Sequence, residues 1–226
     1  MSTKSELIFD NLENMDNILV FVGASGSGKS TLVEHIRKNL GIPQLVTTTT
    51  RHKRRNEKEG EDYHFIESEE FNRLADNESF LETTSYSGNL YGLTKEEIDK
   101  NSNNVSTVIT DINGARTLAN LYPDRVMVFW MKSTPLNLVK RLRKRGESWF
   151  TIITRLFNAY HCGEFTVPTS RFVDVNFTVI HSEDDMVNNF GIVYYKLLTD
   201  EFKKNTDYLQ KLEKEKELNN GRKTLL

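Results

Sequence analysis

Residues 18–31, Ile-Leu-Val-Phe-Val-Gly-Ala-Ser-Gly-Ser-Gly-Lys-Ser-Thr, decide the fold. The apolar run Ile18-Leu19-Val20-Phe21-Val22 reads as a strand buried on both faces, the habit of parallel sheets. Gly23-Ala24-Ser25-Gly26-Ser27-Gly28-Lys29-Ser30 fits the pattern G-x-x-x-x-G-K-[ST]. Thr31-Leu32-Val33-Glu34-His35-Ile36 then opens an amphipathic helix. Glycines let backbone N–H groups turn inward around a phosphate chain, where side chains would clash. The helix start behind them adds donors and a positive dipole end. In this motif Lys29 reaches the β- and γ-phosphates and the Ser30 hydroxyl helps hold Mg²⁺. The competing reading is a plain Gly/Ser-rich turn, and the strand–loop–helix context argues against it. Gly23, Ala24, Ser25, Gly26, Ser27, Gly28, Lys29, Ser30 and Thr31 are therefore the expected ATP-binding residues.

Outward from this stretch, strand and helix signals alternate. Helix 30–40 stops at Gly41 and Pro43, the order expected of a C-terminus. Leu45 to Thr50 is β-branched and predicts a second strand. Residues 107–110 and 126–130 read as core strands flanking a helix from Gly114 to Leu121. Thr134-Pro135 opens a helix to Gly146, a capping residue followed by proline at the first helical position. Residues 149–161 are helical, 177–180 a last strand, and a helix follows from about Asp184. This rhythm predicts βαβ units, a mostly parallel sheet and an α/β fold. Residues 52–104 break it with charge, short aromatic strands such as Tyr63-His64-Phe65, and a capping-box pattern at Thr94-Lys95-Glu96-Glu97. They read as an inserted lobe. The expected organisation is an N-terminal arm over 1–17, a core over 18–51 and 105–200, the lobe over 52–104, and a charged helix or tail over 201–226. Leu209, Leu212 and Leu218 are too few for a coiled coil.

The bulk numbers exclude several classes. A formal net charge of −2 gives no global electrostatic case for nucleic acid or membrane. No apolar run reaches the roughly 20 residues that a membrane span needs. Met1 to Glu6 lacks a basic segment leading into an apolar one, so no secretory signal is visible. The single cysteine, Cys162, rules out an intrachain disulfide and a thiol-rich metal site, and its default is a small, partly buried side chain. A reducing cytoplasm is the expected setting.

A second constellation narrows the chemistry. In Thr47-Thr48-Thr49-Thr50-Arg51-His52-Lys53-Arg54-Arg55, two arginines three apart follow a hydroxyl-rich strand end. Guanidinium forks bind phosphate through paired hydrogen bonds. A solvated basic loop or a nucleic-acid patch fits the same run taken alone. Arg141-Leu142-Arg143-Lys144-Arg145-Gly146, with Arg155 ten residues beyond Arg145, adds another cationic cluster. Phosphoryl transfer between nucleotides brings many negative charges together and is catalysed mainly by positioning and charge neutralisation.

The order GASGSGKSTL, TTTTRHKRRNEKEGEDYHF, FLE, GNLYG, VITDI, RLRKRG and ITRLFNA resembles the guanylate kinase family over roughly residues 18–195. The loop motif is generic; the TTR-x-x-R…G-x-D-Y-x-F block is the specific part. The resemblance implies a P-loop NTPase-type parallel sheet flanked by helices, with an inserted mixed α+β lobe that binds the monophosphate and a helical lid at about 142–155. It implies ATP-dependent phosphorylation of GMP or dGMP with Mg²⁺. On the matching positions, Thr47, Arg51, Arg54, Tyr63 and Tyr91 hold the acceptor phosphate. Glu82 accepts from the guanine N1–H and exocyclic amine, and Asn113 lies near the base. Lys29, Arg54, Arg145 and Arg155 take the catalytic roles, with Ser30 and Asp111 serving the metal. The partners implied are small nucleotides, not nucleic acid or membrane. Monomer and homodimer both stay open.

The sequence departs from the family at three positions. Leu93 stands where the family has a hydroxyl that donates to guanine O6, and Thr94 comes one position late. Asn113 replaces an aspartate in a segment about two residues shorter, and His181 replaces an asparagine near the adenine. An unpaired buried donor costs about 1–3 kcal/mol, enough to weaken or re-specify base binding. Two alternatives are therefore a kinase of the same fold with altered base or acceptor specificity, and a non-catalytic module using the same cleft for a partner protein. Retention of Lys29 and Ser30 weighs against the second. A nucleic-acid-binding ATPase, built on Arg51 to Arg55, is opposed by the near-neutral charge.

Overall fold

The computed structural model describes residues 16–55, 57–86, 88–101, 104–166 and 177–199. Of the N-terminal arm only residues 16 and 17 fall among them, and the helix expected after Lys203 lies outside. The chain divides into two compact units, Met1–Asn189 and Phe190–Leu226. Both sheets and the site lie in the first. In the second, residues 190–199 are helical, with the Phe190 and Tyr194 rings stacked at 6.2 Å.

Strands β1 (Ile18–Val22), β6 (Ser106–Ile109), β7 (Val126–Lys132) and β8 (Phe177–His181) form a four-stranded sheet in the order β6-β1-β7-β8. Every pairing is parallel. All five residues of β1 are buried, which is why this strand is apolar without alternation. Helices α1 (Lys29–Leu40), α4 (Ile112–Leu121), α5 (Pro135–Lys144) and α6 (Trp149–His161) accompany the sheet. Ile18, Val20, Val22, Val108, Ala115, Leu118 and Trp130 share one core cluster. Because β1 is central, its carboxyl end delivers the Gly23–Ser30 loop to the crevice where α/β sheets bind ligands.

A second four-stranded sheet, ordered β3-β2-β5-β4, uses β2 (Thr48–Thr49), β3 (His64–Phe65), β4 (Phe80–Tyr86) and β5 (Asn89–Thr94). Only its β2–β3 pairing is parallel. Helices α2 (Ser68–Asp76) and α3 (Lys95–Lys100) flank these strands in sequence. Thr94 caps α3 by accepting from the Glu97 N–H, as its capping box predicts. Among the described residues no helix is long and apolar enough to cross a membrane.

The strand expected from Leu45 to Thr50 is only Thr48–Thr49. Gln44 bridges Thr107 and the Leu45 N–H donates to the Thr107 carbonyl at 2.7 Å, so this end belongs to the first sheet. Thr48 and Thr49 pair in the second. One segment serving two sheets cannot be one strand. Helix α4 begins at Ile112, two residues earlier than expected, because Asp111 caps it: Oδ1 accepts from the Asn113 and Gly114 N–H groups at 2.9 Å each.

Candidate active site

One cavity of about 430 Å³ runs along the carboxyl ends of β1 and β6 and the inner face of the second sheet. Its wall at one end is the glycine-rich loop. Gly23 has φ 133°, and a Cβ there would come within 2.5 Å of the Met131 carbonyl oxygen, so only glycine lets the loop leave β1 this close to β7. Helix α1 starts with no side-chain cap and no acidic residue in its first turn. Its N–H groups and dipole are left for an external anion. The Lys29 ammonium donates to the carbonyls of Gly23 at 2.5 Å and Ala24 at 3.1 Å. Burial lowers its pKa to about 8, with Glu164 opposing the shift and Arg145 adding to it. Gly23, Ser25, Gly26, Gly28, Lys29 and Ser30 line the cavity. Ala24 is buried against Leu138 and Ala159, and the buried Ser27 lines a neighbouring cavity with Gly28 and Thr31.

On the opposite wall stand Thr47, Arg51, Arg54, Tyr63 and Tyr91. The Arg51 guanidinium lies 5.3 Å from the Tyr63 ring centre and 5.6 Å from that of Phe65. Tyr63 meets Tyr91 edge-on at 6.1 Å. Glu57, which sequence reasoning missed, organises the group. It accepts from Arg51 Nη2 at 2.8 and 3.0 Å and from the Arg54 N–H at 2.9 Å. Burial alone would raise the Glu57 carboxyl, but the Arg51 and Arg54 contacts outweigh it and the net shift is downward. In a loop crowded with Lys and Glu, nothing in the residue pattern singles Glu57 out.

Between these ends lies a carboxylate. In β4, Glu82, Thr84 and Tyr86 share one face by strand alternation and all line the cavity. The β4–β5 register shifts between Phe80 and Glu82, and this bulge helps aim Glu82 inward. Glu82 is 8% exposed. Its Oε1 accepts from the Thr110 hydroxyl at 3.4 Å, while Oε2 is buried with no partner. Burial, reinforced by the charge of Asp111 and opposed by Thr110, raises its pKa to about 7. Gly114 makes room: a Cβ there would clash with the Thr110 hydroxyl and stand 2.9 Å from Glu82 Oε2. A glycine in a helix's first turn is the sequence signal that could have found this approach. Asp111 faces the same space and takes a 2.5 Å hydrogen bond from Thr84 through Oδ2.

The cationic cluster divides its work. Arg145 and Arg155 line the cavity. Arg155 donates to the Ser25 hydroxyl at 2.5 Å and pairs with Glu147 at 2.9 Å; burial lowers its pKa. Arg141 is spent on structure, donating to the Ser27 carbonyl at 2.8 Å and to that of Ser182. Arg143 stacks over Trp149 at 4.7 Å.

The structure places three sequence positions elsewhere than expected. Leu93 is 0% exposed in the core cluster with Val22, Leu45 and Ala115, not on the cavity wall. Strand β5 dives into that core beyond Tyr91, so the cavity's hydroxyls there come from Thr84 and Thr110. Asn113, expected near the base, is exposed on the first turn of α4 and off the cavity lining. The cap by Asp111 uses the Asn113 N–H and starts the helix before its side chain can turn inward. Cys162 is exposed at the C-cap of α6, where the helix stops before burying it.

Residues 15–167 match the family described as guanylate kinase. The chain is 33% identical over 174 residues to the guanylate kinase of Fusobacterium nucleatum, covering 76% of this chain and 94% of that protein. It is 36% identical over 176 residues to that of Neisseria gonorrhoeae, covering 76% and 85%. The fold also resembles a crystal structure of guanylate kinase from Anaplasma phagocytophilum, with a TM-score of 0.60, 24% identity, and 84% and 89% of the two chains covered. With a profile match over most of its length and relatives above 30% identity that it spans almost end to end, the chain belongs to the guanylate kinase family.

Proposed function

We propose that this cavity transfers the γ-phosphoryl group of ATP to GMP or dGMP, giving ADP and GDP or dGDP. The observation that carries the reading is the sharing of one cavity by Lys29, the Arg51/Arg54 pair and Glu82. ATP phosphates lie along the Gly23–Ser30 loop, taking its N–H groups and drawing Lys29 from the carbonyls it now holds. The acceptor phosphate lies against Arg51, Arg54, Tyr63 and Tyr91, with the Thr47 hydroxyl as a further donor. The guanidinium forks hold its oxygens in pairs and fix the attacking atom. The unpartnered Glu82 Oε2 accepts from the guanine edge, whose N1–H and amine are adjacent donors. Two adjacent donors offset the desolvation of this buried carboxylate, and adenine offers no matching pair. Arg145 and Arg155 neutralise charge developing between donor and acceptor.

Mg²⁺ is the expected cofactor. Ser30 and Asp111 are hard oxygen donors in the same cavity, and a small donor set suits an ion that keeps several waters. Asp111 already accepts from the α4 cap and from Thr84, so its role fits contact through water. When bound, the ion screens the phosphate oxygens and orients them. The lobe over 52–104 and a lid over 142–155 are read as the mobile parts, and a reducing cytoplasm suits the single exposed thiol.

The test is a coupled ADP-release assay with ATP and Mg²⁺ against GMP, dGMP, AMP, CMP, UMP and dTMP. Turnover confined to GMP and dGMP is expected. Preference for another base would move the assignment of Glu82, and silence across the panel would sink the phosphotransferase reading.

A further inference from the structure

Glu164 lines the cavity on the donor side, yet neither the loop motif nor the arginine clusters predict a carboxylate there. Its placement follows from how α6 ends. Gly163 has φ 68°, the Gly163 N–H donates to the Tyr160 carbonyl, and the Glu164 N–H donates to that of Ala159 at 2.8 Å. This is a Schellman ending, with glycine at C′ and Glu164 at C″. The hydrophobic contact that normally accompanies C″ falls to the next residue. Phe165 packs on the cluster of Ala24, Leu138 and Ala159. With the turn closed behind it and Phe165 pinned beside it, Glu164 turns toward the phosphate end of the cleft. Its Oε2 is buried with no hydrogen-bond partner.

We infer that Glu164 is a resident counter-charge of the cleft: a carboxylate facing Lys29 that opposes the entry and retention of a polyphosphate. The inference rests on the reading of this cavity as a nucleotide-phosphate site. The groups that face Glu164 electrostatically are Lys29, whose charge favours the carboxylate, and Asp111, whose charge opposes it. Tyr86 and Cys162 also feel its charge. Burial outweighs the pull of Lys29 and holds the Glu164 carboxyl above the usual range. A triphosphate arriving at Lys29 meets this extra negative charge in a partly dehydrated site, where like charges repel strongly. The consequence is weaker ground-state binding and easier release of the diphosphate product. Glu164 is a positioning residue in this scheme, acting through charge and not through the reacting atoms.

The test compares the full chain with Glu164→Gln and Glu164→Asp, measuring Kd for ATP and for inorganic tripolyphosphate, both without divalent metal, at pH 7.5. Glutamine keeps the shape and removes the charge, and should tighten both anions about tenfold. The gain should shrink in 0.5 M NaCl, since screening reaches partly exposed charges. Aspartate keeps the charge and should bind like the parent. Equal or weaker binding by the glutamine variant overturns the proposal, as does a gain that ignores salt. A thermal melt identifies a misfolded variant, and Glu164→Ala then takes its place: it removes the same charge and should tighten both anions likewise, while equal or weaker binding by it overturns the inference. Failure of the kinase reading looks different, because tripolyphosphate binding stays measurable when no monophosphate is turned over.

Discussion

The two ends of the cavity hold buried charge in opposite ways. At the phosphate end, Lys29 rests its ammonium on two backbone carbonyls, and the loop that supplies them is contiguous with it in sequence. At the base end, Glu82 has one weak hydroxyl contact and one bare oxygen. Its surroundings come from a bulge in β4, from Thr110 and Asp111 after β6, and from Gly114 in α4. The phosphate-end lysine is thus held by the chain's own carbonyls, while Glu82 Oε2 at the base end keeps its acceptor capacity for a ligand's donors. Generic phosphate binding can be preassembled; base reading here is held as an unmet demand.

The most severe way to break this contrast is to remove Lys29. Lys29→Ala should lower kcat by about a thousandfold or more in the coupled assay, with the melting temperature little changed. Second in size, Leu93→Ser tests whether the base end is open to repair at the position where the resemblance led to the expectation of a hydroxyl. Because Leu93 is fully enclosed in the core, the change should destabilise the fold by about 2–4 kcal/mol in chemical denaturation without improving GMP turnover. A stable variant with faster GMP turnover would mean that β5 presents residue 93 to the cavity after all.

Glu82→Gln should separate function from stability. Losing the charged acceptor should cut kcat/KM for GMP by about a hundredfold. The unliganded fold should respond in the other direction. Burial raises the Glu82 pKa to about 7 in the folded chain, from an ordinary 4.5. Between those values the folded state holds more protons than the unfolded one, so stability falls as pH rises through that window. Glutamine removes this loss, worth at most about 3 kcal/mol, and the variant should be the more stable protein at pH 8 and no better at pH 4. The same logic predicts proton release when GMP binds near pH 6.5, measurable as a buffer-dependent binding enthalpy. The smallest effect belongs to the acceptor-phosphate wall. Glu57→Gln should raise KM for GMP about tenfold with little change in kcat, since Arg51 loses its bidentate partner but keeps its stacking on Tyr63 and Phe65.

What could be read from the sequence follows the same division. The Gly23–Ser30 loop, the central strand and the α1 helix were legible because strand, turn and helix signals are adjacent and local. Arg51, Arg54 and Tyr63 stood out by residue type and lie on one wall. Glu82 was legible only through a resemblance, because its burial depends on a register shift and on a glycine in another element. Glu57, Thr84 and Glu164 gave no signal, since charge or hydroxyl at those positions is common on any surface. Leu93 and Asn113 misled for a related reason. A position in an aligned motif fixes the backbone's place, but a cap or a strand's descent into the core decides where the side chain goes.

Arg141 carries a consequence of its own. Its donors are taken up by carbonyls of the loop and of the turn after β8, which leaves them committed to the scaffold. Its positive charge, however, is not cancelled by carbonyls, and it stands behind the loop as a fixed electrode. A nucleotide approaching the cleft would be drawn by the field of this committed cation. Replacing this residue with a neutral one would then alter the rate of capture by long-range attraction as well as the shape of the loop, and the first effect would fade with added salt while the second would not.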